Sequence, residues 1–173
     1  MKNVFIVICL ILSSDKMTSA QTIRANAKIV GKRTTFITGN VSMNRLTIAH
    51  ENSLYFNNDP KINIDNNGIS GEKVDENSLL NSFNQTFSQL RLKELLTEGL
   101  GLNFYVNSQG QVLEISFVVH QGTKITPIEL EELENNIKMN VKFKYKEDLT
   151  KGVPFFHIVQ GVNFGKVLNG TLR

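Results

Sequence analysis

Leu102-Asn103-Phe104-Tyr105-Val106 and Val112-Leu113-Glu114-Ile115-Ser116-Phe117-Val118-Val119 flank the polar stretch Asn107-Ser108-Gln109-Gly110-Gln111, and the fold is read from this segment. Two runs rich in β-branched and aromatic residues, joined by a short polar stretch with glycine, form a β-hairpin in which Gly110 takes the left-handed position. In the first run Leu102, Phe104 and Val106 share a face; in the second, Leu113, Ile115, Phe117 and Val119 form the expected core face. Thr126-Pro127-Ile128-Glu129 then combines a Thr-x-x-Glu capping box with proline at the first helical position, so a helix starts there, with Leu130, Leu133 and Ile137 as its apolar stripe. Val141 to Lys146 alternates apolar and lysine residues and predicts a strand, and Phe155 to Val159 with Val162 to Phe164 supplies closing strands.

Upstream, Asp75 opens a helical pattern with Leu79, Leu80, Phe83, Phe87, Leu90 and, after a slight drift, Leu95 along one face. Asp75 or Asn77 can cap it and Gly99 or Gly101 can end it. Its other face carries Asn and Gln rather than Lys and Arg, which fits packing on the protein's own sheet better than a membrane surface. Before it, Thr34 to Thr38, Arg45 to Ile48 and Ser53 to Phe56 are short β-rich runs punctuated by Gly39-Asn40, Glu51-Asn52 and Asn57-Asn58-Asp59-Pro60, as in an antiparallel meander. Lys61 to Asp65 alternates at period two, and Asn66-Asn67-Gly68 suits a tight turn. The expected class is α+β, a mainly antiparallel sheet with two amphipathic helices packed on it. The 173 residues divide into a signal peptide over 1–20, a short-strand region over 21–74 and a helix plus hairpin-helix-strand unit over 75–173, the last two forming one compact domain.

The first twenty residues carry an address. Met1-Lys2-Asn3 is a short basic start, Val4 to Leu12 is an unbroken apolar run, and Thr18-Ser19-Ala20 places small residues at −3 and −1 of a cut before Gln21. An apolar run of this length is too short for a bilayer span, which needs ~20 residues, but suits a secretory signal. The expected location is therefore secreted or periplasmic, with no stable membrane span after cleavage. Ile8 before Cys9 does not fit a lipoprotein signal. Cleavage would remove Cys9, the only cysteine, and with it any disulfide, thiolate nucleophile or cysteine-ligated metal.

Residues 100 to 164, through the Val106-Asn107-Ser108-Gln109-Gly110-Gln111-Val112 turn and on into Pro127 to Lys138, resemble the C-terminal domain of TonB-type energy transducers. In that family a strand ends in a polar turn with glycine, a second strand follows, a helix crosses, and a final strand completes a small sheet. The resemblance covers about 65 residues and implies a fold. Transducers also carry an uncut membrane anchor and a proline-rich spacer, whereas this chain has three prolines and a cleavable-looking signal, so energy transduction does not carry over. The chain as a whole resembles uncharacterised exported proteins of gut-type Bacteroidetes.

Few residues suggest chemistry. His50, His120 and His157 lack the close spacing that puts two imidazoles on one metal, and neither a His-Glu-x-x-His nor a Gly-x-Ser-x-Gly motif occurs. Gly161 to Lys166 echoes a phosphate loop but is one residue short and runs into Val167. Asn63 to Gly68 matches the first half of a calcium loop, with Val74 where the bidentate glutamate belongs. Glu129, Glu131, Glu132 and Glu134 suit a solvated helix start, where acids complement the macrodipole. Asn40, Asn84 and Asn169 stand in sequons that matter only for a eukaryotic source. The net charge of +3 is too thin for nucleic-acid binding. No catalytic, cofactor or metal residue is assigned, and no cofactor is expected. Lys142, Lys144 and Lys146 are the candidate partner-binding edge, since lysines on a strand both attract an acidic partner and discourage self-pairing.

These residues point to an exported, non-catalytic binding or interaction module of the cell envelope, with a protein of the envelope as partner. The alternative is a small secreted hydrolase with a His/carboxylate site drawn from His50, His120 or His157. Intact-mass analysis of exported protein is expected to show a chain beginning at Gln21; retention of Met1 would refute the signal.

Overall fold

In the computed structural model, residues 23–42, 44–53, 75–144 and 155–172 are described. The leader, the run from Leu54 through Val74 with its half calcium loop, and Lys146 lie outside them. Six strands, β1 (Lys28–Val30), β2 (Thr35–Ser42), β3 (Arg45–His50), β4 (Gly99–Val106), β5 (Val112–His120) and β6 (Phe156–Asn163), form one antiparallel sheet in the order β1-β2-β3-β5-β4-β6. Four helices complete the described residues: α1 (Glu76–Thr86), α2 (Gln89–Glu94), α3 (Pro127–Asn140) and the short α4 (Phe164–Leu168). The protein is α+β.

The β4–β5 hairpin forms as its sequence dictates. Gly110 has φ +79°, and Asn107 ties the turn by accepting the amides of Gln109 and Gln111 on its side-chain oxygen at 3.0 and 2.9 Å. One residue departs from the expected alternation. Tyr105 pairs with Glu114 but Val106 pairs with Val112, so the ladder steps over Leu113. The bulge turns Leu113 out to 40% exposure and puts Val112 into the core, while Ile115, Phe117 and Val119 stay buried.

The N-terminal meander joins the hairpin by β3 pairing with β5, from Arg45 opposite His120 to Ile48 opposite Phe117. Gly39-Asn40, expected as a turn, lies within β2, with Gly39 opposite Thr47. The chain reverses later, where Asn44 takes φ 65°. Strand β1, which the sequence pattern did not show, is three residues long with only Ile29 buried, too short to display a period.

The expected single long helix is two. Helix α1 ends at Phe87, whose extended backbone breaks the ladder, and Ser88 restarts it by accepting the amide of Arg91 at 3.2 Å. The break changes the apolar stripe. Leu79, Phe83 and Phe87 are buried, but Leu90 is 70% exposed, and Leu92 and Leu95 point inward instead. Phe83, Phe87 and Phe164 form an aromatic cluster with ring centroids 5.1 to 6.0 Å apart, which draws α4 onto the same layer. Helix α3 begins with the anticipated capping box between Thr126 and Glu129, and Leu130, Leu133 and Ile137 are buried.

Phe83→Ala is expected to lose about 3–5 kcal/mol by chemical denaturation, as large-to-small core changes do. Leu90→Ala should stay within about 0.5 kcal/mol, as exposed substitutions do; comparable losses at both positions would mean that the helix break is wrong.

Candidate functional site

The four glutamates of α3 do not form the solvated helix start that their positions suggest. Glu129 takes a two-point grip on Arg91, at 2.6 and 3.1 Å, and also accepts the amide of Thr126 at 2.7 Å. Glu131, buried, accepts the backbone amides of Arg33 and Thr34 in the β1–β2 turn at 3.0 to 3.3 Å. Gly31 is needed there, because a Cβ would run into the Glu131 carboxylate. Glu132 pairs with Lys32 of the same turn. Glu134, 2% exposed, divides its oxygens, Oε2 to His50 Nε2 at 2.6 Å and Oε1 to Lys138 Nζ at 2.7 Å.

His50 and Glu134 are the one imidazole–carboxylate contact among the described residues, and they sit beside a shallow depression of about 340 Å³ bordered by Arg33, Thr34, Thr35, His50, Glu51 and Asn52. The hydrogen bond with Glu134 raises the His50 imidazole above its ordinary value, against the opposing effect of burial. Burial pushes the Glu134 carboxyl up, but the hydrogen bond from His50 and the charge of Lys138 outweigh it and hold the group below the ordinary carboxylate range. The raised value favours the protonated imidazole, which against a buried carboxylate that Lys138 also approaches forms an ion-pair clasp. A general base needs a neutral imidazole at working pH, which a raised value disfavours.

The other histidines stand apart. His120 is exposed on the far side of the sheet. His157 stacks on Tyr105 at 5.2 Å with Nε2 unbonded, and burial lowers its pKa. Among the described residues, no group of three His, Cys, Asp or Glu side chains could hold a metal ion.

Of the lysine edge, Lys142 and Lys144 lie within the described residues and Lys146 does not. Val141 and Phe143 are buried while Lys142 and Lys144 are exposed, as the alternation predicts. Yet this segment makes a single bridge, Lys142 to Gln111, with the Phe143 amide on Gly110 O at 2.8 Å and its ring 5.3 Å from Phe104. It is anchored to the hairpin turn, and among the described strands β1 and β6 stand at the two ends of the sheet.

A second surface was not legible in the sequence. The cross-strand register aligns Gly39, Thr47, Val118, Gly101 and Gly161 in one row on the face of the sheet away from the core. Three of these five have no side chain, and Gly99 lies two residues before Gly101 in β4. The result is an open trough of about 340 Å³ lined by Arg45, Gly99, Gly101, Asn103, Val118, His120, Val159 and Gly161. A Cβ at Gly161 would meet nothing within 4 Å, so the hollow above it is open. Each glycine is unremarkable on its own strand, and only the pairing of β4 with β5 and β6 brings them together.

No family model matches the sequence, and no curated protein matches it. Among solved structures the chain is similar to a DUF5043 family protein from Bacteroides uniformis, with a TM-score of 0.59 and 17% identity, over 79% of this chain and 89% of that one. The likeness is one of fold. Among the described residues no helix is long and apolar enough to cross a membrane.

The clasp predicts a pH dependence of stability. The raised His50 contributes stability that is complete below its ordinary value of 6.5 and is lost as pH rises through the folded value. The lowered Glu134 contributes stability present above its ordinary value of 4.5 and lost as pH falls through the folded value. The stability difference between the wild type and His50→Gln, from urea midpoints, should therefore be greatest between pH 4.5 and 6.5 and shrink at alkaline pH. The opposing contribution of His157, which weakens the fold as it protonates, is common to both proteins and cancels. A difference that grows toward alkaline pH would contradict the clasp.

Proposed function

We propose that this chain is an exported, non-catalytic interaction module of the cell envelope that engages its partner through the trough on the outer face of its sheet. The observation that carries the reading is the glycine floor, since Gly99 and Gly161 leave an open hollow, and Gly101 between them makes room for Val118, on a sheet whose other face is packed with apolar side chains. Location in the secreted or periplasmic space rests on the leader sequence, and the fold likeness to a Bacteroides protein is compatible with it. The transducer-like reading of residues 100–164 finds support in the order β4, β5, α3, β6, with β6 returning antiparallel on β4. That reading concerns fold, and the interaction proposed here does not depend on it.

A second reading, a small hydrolase, is favoured by the 2.6 Å contact of His50 with Glu134 beside a depression. The raised imidazole and the second partner of Glu134 argue against it.

The test is affinity capture from native envelope extract with three proteins: wild type, Gly161→Leu and Gly39→Leu. Both glycines have open space where a Cβ would stand and neither has a positive φ, so both variants should fold. Gly161→Leu fills the trough, whereas Gly39 lies on the same face outside its lining. Partners retained by wild type and Gly39→Leu and lost by Gly161→Leu are expected. The same partners on all three proteins would overturn the trough as the binding surface.

A further inference from the structure

We propose that the trough binds a small carboxylate-bearing ligand, of the size of a monosaccharide acid or a dipeptide, with its acid group held by Arg45 and His120. The inference rests on the trough being the binding surface and adds the chemistry it selects.

Arg45 and His120 are directly opposite each other on β3 and β5, and both are exposed at one end of the trough. Neither side chain has a hydrogen-bond or ion-pair partner among the described residues. Arg91, by contrast, is held by Glu94 and Glu129. Glu98, the carboxylate next to Gly99 in the chain, is engaged elsewhere, accepting from Thr123 Oγ1 at 2.9 Å and from the Lys124 amide at 3.5 Å. Among the described residues the Arg45 end of the trough is therefore positive, with no carboxylate paired to it.

A guanidinium offers paired donors that match the two oxygens of a carboxylate, and an adjacent imidazole N–H can supply a further donor. Beyond that end, Gly99 and Gly161 let a flat molecule approach the backbone, while Val118, packed over Gly101, and the 62% exposed Val159 present apolar surface to its C–H groups. At the far end, Asn103 donates its amide nitrogen to Ser116 Oγ at 3.2 Å, leaving its carbonyl oxygen to accept from a ligand hydroxyl or amide. Gly99 and Asn103 are four residues apart on β4, a separation of about 14 Å along an extended strand. That length and a volume of about 340 Å³ admit one sugar ring or two amino-acid residues, but not a longer chain enclosed end to end.

Chemical-shift titration of the isotopically labelled protein tests this with two matched pairs, glucuronate against glucose and Ala-Ala against its C-terminal amide. One acid should bind at least about tenfold more tightly than its neutral counterpart, with shifts centred on Gly101, Val118 and Gly161. Which acid binds identifies a sugar or a peptide as the source of the carboxylate. Arg45→Ala and Gly161→Leu should each weaken that binding by about tenfold or more, and Gly39→Leu should leave it unchanged. Equal binding of acid and neutral probes, absence of binding by both acids, or an unaffected Arg45→Ala would overturn the carboxylate assignment. If Gly161→Leu still loses its envelope partners in those cases, the trough stands as the surface and only its ligand chemistry is wrong. If Gly161→Leu keeps both partners and ligand, the surface itself is wrong.

Discussion

Helix α3 lies on the sheet with Leu130, Leu133 and Ile137 in the core, and its glutamates reach three other parts of the chain. Glu129 holds α2 through Arg91, Glu131 and Glu132 hold the β1–β2 turn, and Glu134 holds the end of β3 through His50. These carboxylates bind together segments as far apart in sequence as Lys32 and Glu132. Two of them are buried, so each must be satisfied where it stands: an unpaired carboxylate removed from water costs several kcal/mol. The helix can dock in only one position that meets all of these demands. Apolar contacts alone would tolerate sliding, because hydrophobic attraction has no direction.

The aromatic cluster does the corresponding work for the other helices. Phe83 and Phe87 stand four residues apart on the α1 stripe, and Phe164 enters between them from the far end of the chain. The break at Ser88 lets Leu92 and Leu95 join this core, whereas a straight continuation of α1 would have carried Leu90 inward and turned Leu92 toward solvent. A serine cap at the break satisfies the backbone amide that the interruption frees.

The two faces of the sheet consequently differ in kind. One is filled by Phe36, Ile48, Leu102, Phe104, Ile115 and Phe117 under the helices. The other carries Thr47, Ala49, Ser116 and the glycines around the trough, with the buried Tyr105 and Glu114 further along it. Where Gly99 and Gly161 stand, this face offers a hollow with no side chain to displace.

The sequence by itself determined the local features: the hairpin with Gly110 at its turn, the capping box at Thr126, the buried stripe of α3, the inward Leu79, Phe83 and Phe87, and the α+β class. Each depends on residues within a turn or two of one another, where period and capping chemistry act without help from the rest of the chain. Tertiary structure decided what depends on register between distant strands. The sequence offered Leu113 as core, but a bulge against Val106 exposes it. It offered Glu131 and Glu134 as solvated, but the β1–β2 turn and His50 cover them. It offered Val141 to Lys146 as a strand, but among the described residues, which end at Lys144, this segment makes one bridge, with the Phe143 amide on Gly110 O. The glycine trough has no signature along the chain, because Gly101 and Gly161 are sixty residues apart and become neighbours only when β4 pairs with β6. Periodicity tells which way a side chain faces within its own element; which partner it meets is set by hydrogen bonds between elements that the local sequence does not encode.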